Sequence, residues 1–173
     1  GRREEGIRLL EQALPIWRRI KGPEDASTIL AMGNLAYAYS EAQRWSEALS
    51  LREQVLALSR KVNGPEHPDT IWIMTSLAVS YQDAGLADQA LKLFEEVLAT
   101  SRKVNGPEHP DTLDAMLALG VAYYHAQRAE EGLRIREEML ETRRRVNGPK
   151  HLMTLRAMIS VSMSRRQAGH FEE

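Results

Sequence analysis

The chain has 173 residues with 23 basic and 24 acidic side chains and a formal net charge of −1, so no global field draws it to nucleic acid or to an acidic membrane. It has no cysteine, which excludes disulfides, thiol nucleophiles and thiolate metal sites and leads us to expect a reducing, cytoplasmic compartment. No apolar run reaches the roughly 20 residues that span a bilayer, and no signal peptide is legible.

Residues Arg2 to Lys21 read as a helix, with Ile7, Leu10, Leu14 and Trp17 at helical spacing. Pro15 is the blemish, because an interior proline removes a hydrogen bond and clashes with the preceding turn; a kink or a late start is expected there. Further helices are expected over Asp25 to Ala42, Trp45 to Asn63, His67 to Ala84, Leu86 to Asn105, His109 to Ala126 and Ala129 to Asn147. These make about seven full helices, and His151 to Ala168 forms a last one without its partner.

The helices are divided by a recurring joint. Ser-Arg-Lys-Val-Asn-Gly-Pro-Glu-His-Pro-Asp-Thr stands at Ser59 to Thr70 and again, letter for letter, at Ser101 to Thr112. Degraded copies put the joint glycines at Gly22, Gly64, Gly106 and Gly148, each 42 residues after the last. A fixed period of this size is the mark of a repeat array. Asn-Gly-Pro ends one helix, since glycine takes the left-handed conformation and proline cannot continue the spiral. Proline then suits the first position of the next helix, and aspartate places negative charge at its positive end. The basic residues before the joint, Arg60, Lys61, Arg102, Lys103 and Arg143 to Arg145, read first as helix-end charges. His67, His109 and His151 read as caps, because equivalent positions of successive repeats do not converge on one metal or one reacting atom.

In each first helix a core stripe recurs at i, i+3, i+4, i+7: Met32, Leu35, Ala36, Tyr39; Met74, Leu77, Ala78, Tyr81; Met116, Leu119, Gly120, Tyr123; Met158, Val161, Ser162, Arg165. In the second helices the matching small column is Ala48, Ala90 and Gly132, and Gly132 should weaken its helix by about 1 kcal/mol. Leu-Ala-x-x-Tyr, the turn near Gln43 or Gly85 and the small residue at Ala48 or Ala90 resemble the tetratricopeptide (TPR) pattern. With the joint and the 42-residue period, the resemblance is to the kinesin-light-chain type. It implies an all-α fold, a right-handed α-solenoid of antiparallel helix pairs over residues 1–173, with repeat units at about 1–21, 22–63, 64–105, 106–147 and 148–173. The first unit would hold only a second helix, and the last a first helix plus the start of the next, as in a piece of a longer protein. Similar arrays occur in NB-ARC and NACHT-type signalling proteins.

The resemblance also implies that first helices line a concave groove where peptides bind. The face opposite the core stripe supplies the candidates: Leu30, Asn34, Tyr37, Trp72, Val79, Gln82, Leu117, Val121, Tyr124, Ile159 and Met163. This face is apolar where a wet surface should be polar, which marks a binding site or helices packed on several sides. The kinesin-light-chain pattern has two asparagines before Leu-Ala, and only Asn34 is kept here; a more apolar ligand, such as an amphipathic helix, is expected instead. No P-loop, nucleophile elbow or non-periodic cluster of histidine with carboxylates is present. The expected function is therefore a non-catalytic protein-interaction scaffold, without cofactor, metal, nucleic acid or membrane. The alternative is a structural, regulatory or sensor spacer that assembles with itself through exposed end helices, where Leu152, Met153, Leu155 and Met158 lack a cover.

Overall fold

The structure, a computed structural model, describes residues 2–169. Eight helices follow in chain order: α1 (Arg2–Lys21), α2 (Ala26–Glu41), α3 (Trp45–Val62), α4 (Pro68–Asp83), α5 (Ala87–Asn105), α6 (Pro110–His125), α7 (Ala129–Asn147) and α8 (Leu152–Gln167). There is no strand among the described residues. The fold is an all-α repeat solenoid of antiparallel helix pairs in two compact units, Gly1–Ala84 with α1 to α4 and Gly85–Glu173 with α5 to α8. Within each unit, every helix packs on the next in sequence. Helix α1 runs uninterrupted through Pro15, so the late start expected there does not occur. The expected start of a further helix at His170 to Glu173 lies outside the described residues.

The joints do the work their letters imply. Gly64 and Gly106 sit at φ +92° and +90°, a region that costs other residues strain, and there the chain leaves the helix. His67, His109 and His151 each cap the following helix: Nδ1 accepts the backbone N–H of Asp69, Asp111 and Met153 at 3.2 Å. Asp25 caps α2 in the same way, accepting from Ser27 N at 2.8 Å. The last letter of the joint ties it to the helix before it. Thr70 shares a 2.8 Å hydrogen bond with Ser59 Oγ, while Thr112 and Thr154 donate to the carbonyls of Gly106 and Gly148 at 2.7 and 2.8 Å. Thr28, in the same column, has Trp17 where Ser59 stands, and its buried hydroxyl has no partner among the described residues.

The core follows the stripe. In unit 1, Ile7, Leu14, Met32, Leu35, Ala36, Leu51 and Val55 form one buried cluster. Unit 2 buries Leu113, Met116, Leu119, Leu133, Met139 and Val161. Trp17 departs from the stripe and is 40% exposed. The tyrosine column serves another purpose, because each phenol reaches back to a glutamate 28 residues earlier on the preceding second helix. Tyr39 donates to Glu11 at 2.8 Å, Tyr81 to Glu53 at 2.6 Å and Tyr123 to Glu95 at 3.0 Å. In the fourth copy Arg165 takes the tyrosine's place and makes the same rung to Glu137 at 3.0 Å.

Candidate functional site

In unit 1, α2 and α4 stand as walls over α3 and enclose an open groove of about 640 Å³. Its walls carry Leu30, Asn34 and Tyr37 from α2 and Trp72 and Ser76 from α4; its floor is Arg52, Val55, Ser59 and Val62 of α3. Leu30, Tyr37 and Trp72 are 64%, 61% and 71% exposed. The core needs none of them, since the opposite face of each helix supplies Met32, Leu35, Met74 and Leu77 to it. Three large apolar side chains held around one concavity make a surface that water covers at a cost. Packing on all sides, the alternative explanation of the apolar face, does not hold at these positions.

Two polar features set the groove's chemistry. Asn34 is exposed on the α2 wall and lines the groove. Arg52 lies half-buried in the floor, where Nη1 donates to the Ser76 carbonyl at 3.1 Å and Nη2 to Ser40 Oγ at 3.4 Å. Its Nε is buried without a partner among the described residues, and burial holds the guanidinium below the usual arginine range. The second helix was missing from the sequence expectation, which placed the site on first helices alone. The signal was there in the column Arg52, Phe94, Arg136, where a charge stands among apolar core columns.

The remaining candidates fall elsewhere. Val79 is exposed and Gln82 half-buried on α4, and neither lines this groove. In unit 2, Leu117, Val121 and Tyr124 lie on α6 and Ile159 and Met163 on α8. All but the half-buried Val121 are exposed. Between these helices the chemistry differs from that of unit 1. At the positions of Leu30, Ser59 and Trp72, unit 2 has Asp114, Arg143 and Arg156, and the buried Arg143 donates to Asp114 Oδ1 at 2.8 Å.

The basic residues beside the joints are held by acidic partners. Lys61 pairs with Glu24, Arg145 with Glu108 at 2.8 Å, Arg102 with Glu138 at 2.6 Å and Arg144 with Glu141 at 2.9 Å. Lys61 and Arg145 reach the joint of the preceding repeat, Arg102 ties α5 to α7, and Arg144 pairs along its own helix. Among the described residues no three histidine, cysteine, aspartate or glutamate side chains gather where they could hold a metal. No helix of the described residues is long and apolar enough to cross a membrane.

The tetratricopeptide repeat profile matches residues 1–61, 31–103, 75–131 and 115–173. No curated protein matches the chain. Among solved structures, a protein from Podosopora anserina described as a candidate kinesin light chain with nearly identical TPR-like repeats is similar at 28% identity. The match covers 98% of this chain and 80% of that one with a TM-score of 0.87. BtubC (BKLC) of P. vanneervenii shares the fold at 20% identity, covering 99% of this chain and 68% of that one with a TM-score of 0.77. Neither the profile nor these structures ties the array to NB-ARC or NACHT-type signalling proteins.

Proposed function

Because the chain belongs to the tetratricopeptide repeat family, we propose that it is a non-catalytic protein-interaction scaffold whose unit 1 groove takes an apolar segment of a protein partner. The exposure of Leu30, Tyr37 and Trp72 around one open concavity carries this reading. Large aromatic side chains at the centre of a concave surface are where binding energy concentrates. An amphipathic helix laid between α2 and α4 would cover them with residues at i, i+3, i+4 and i+7. Asn34 and Arg52 add a few polar anchors to a mainly apolar lining, the balance typical of a site that fixes orientation as well as affinity. The near balance of charge gives no electrostatic preference for nucleic acid. The absence of cysteine agrees with a cytoplasmic setting.

A displayed library of random peptides selected on the chain tests the proposal. Selected sequences should carry apolar residues at helical spacing and should lose binding to a Trp72→Asp variant that keeps its helical circular dichroism. Peptides that bind parent and variant alike would place recognition outside the groove.

A second reading rests on α8. Leu152, Leu155, Met158, Ile159 and Met163 are 61%, 45%, 42%, 58% and 57% exposed, and Met158 stands in the column of Met32, Met74 and Met116, which are at most 1% exposed. Contiguous apolar exposure of this kind favours association with a second copy. A molecular mass that rises with concentration, and stays monomeric in Met158→Glu/Ile159→Glu, would support homotypic assembly.

A further inference from the structure

The two units are built on one plan but differ at three positions that define the groove. In unit 1, Leu30 and Trp72 face the cavity from opposite walls and Ser59, a small buried residue, lies in the floor between them. Eighty-four residues on, the same three positions are Asp114, Arg156 and Arg143. Arg143 rises from the floor helix α7, buried, and its guanidinium reaches the α6 wall to donate to Asp114 at 2.8 Å. The Thr154 hydroxyl, which donates to Gly148, also lies 3.2 Å from the Arg143 carbonyl. In unit 1 Ser59 and Leu30 line one cavity; in unit 2 the arginine side chain spans the two corresponding positions.

We propose that the Arg143–Asp114 pair is an internal plug that closes the unit 2 groove to apolar ligands, so that specificity within one repetitive chain is set by a coupled exchange at two positions. The pairing itself supports this. An arginine introduced at the serine position alone would leave a buried cation without a partner, which is strongly unfavourable. The aspartate that pairs with it replaces one of the residues that make the unit 1 wall apolar, so one exchange fills the groove and removes its apolar wall together. Asp114 stays 65% exposed at its side chain, while Arg143 is covered. Arg156 in place of Trp72 removes the other apolar anchor. An apolar segment entering unit 2 would have to displace Arg143 and bury the charge it leaves behind.

This inference rests on the unit 1 groove as the open counterpart, and the test separates the two. The probe is N-phenyl-1-naphthylamine, a neutral dye that fluoresces in apolar clefts, titrated to saturation to give the number of molecules bound per chain. Arg143→Ser/Asp114→Leu restores the unit 1 residues at both positions and should bind one molecule more than the parent. Arg143→Ser/Asp114→Leu/Arg156→Trp, which restores the third unit 1 residue as well, should show the same gain and serves if the double variant loses helicity. The reciprocal Ser59→Arg/Leu30→Asp should bind one fewer. An unchanged number in a folded variant that carries Arg143→Ser with Asp114→Leu overturns the plug, whatever number the parent binds. Parent binding that is insensitive to Trp72→Asp would instead overturn the unit 1 reading while the gain in Arg143→Ser/Asp114→Leu still decides the plug.

Discussion

His67, His109 and His151 occupy the positions where a motif reading would look for chemistry, and each spends its Nδ1 on a backbone N–H at the start of a helix. Replacing His67 by alanine should cost about 1 kcal/mol, the usual worth of a side-chain cap, and replacing it by aspartate should restore most of that, because Asp25 performs the same task on α2. Urea midpoints of the two variants check this, and equal losses would remove the cap from the explanation. Gly132 teaches the opposite lesson. From sequence it looks like a weak spot in α7, but a Cβ there would lie 2.9 Å from the Gly120 carbonyl and 3.2 Å from Tyr123 Cβ. The glycine permits α6 and α7 to approach. Gly132→Ala gains about 1 kcal/mol of helix propensity and meets an overpacking cost of about 1–3 kcal/mol, so a net loss is expected in the same urea measurement; a gain near 1 kcal/mol would contradict the close approach. Spacing revealed that this column is small, and only the distance between two helices explains why it is smallest here.

At the scale of the helix, the tyrosine column shows what periodicity can and cannot tell. It placed Tyr39, Tyr81 and Tyr123 on the core side, and the 42-residue period made them equivalent. It did not reveal their partners, because a rung between residues 28 apart on different helices has no local signature. Burial, then the hydrogen bond to Glu53, pushes the Tyr81 phenol up to about 12, and Tyr39 and Tyr123 are raised for the same reasons. A phenol whose folded pKa lies above its unfolded value of 10.0 stabilises the fold fully below pH 10. That contribution is lost as pH rises through about 12. Stability should therefore fall between those limits, and Tyr81→Phe should flatten part of the slope. Parallel losses in parent and variant would assign alkaline unfolding to other groups. In the fourth copy Arg165 keeps the rung with Glu137 by an ion pair, so loss of tyrosine there is a change of chemistry on an unchanged contact.

For the whole chain, the array was legible from its joints: the glycine period, the cap letters and the small column announce helix pairs, and the described helices begin and end within a few residues of those signals. The candidate site was legible only in part. Leu30, Asn34, Tyr37 and Trp72 come together in unit 1, but Arg52 and Ser59 of the floor do not belong to the face that helical spacing selects on α2 and α4. A single-helix pattern reports one wall of a groove and is silent on the helix beneath it. It is silent, too, on whether a side chain such as Arg143 reaches across, since that depends on a partner 29 residues away. The placement of function in unit 1 is tested most directly by backbone amide chemical shifts of the labelled chain, recorded as a selected peptide is titrated in. Perturbations should concentrate on Leu30, Asn34 and Tyr37 of α2, Ser59 and Val62 of α3 and Trp72 and Ser76 of α4. Shifts confined to α8, or spread over the outer faces while these amides stay still, would contradict a groove-bound ligand and favour a surface or end-to-end mode of association.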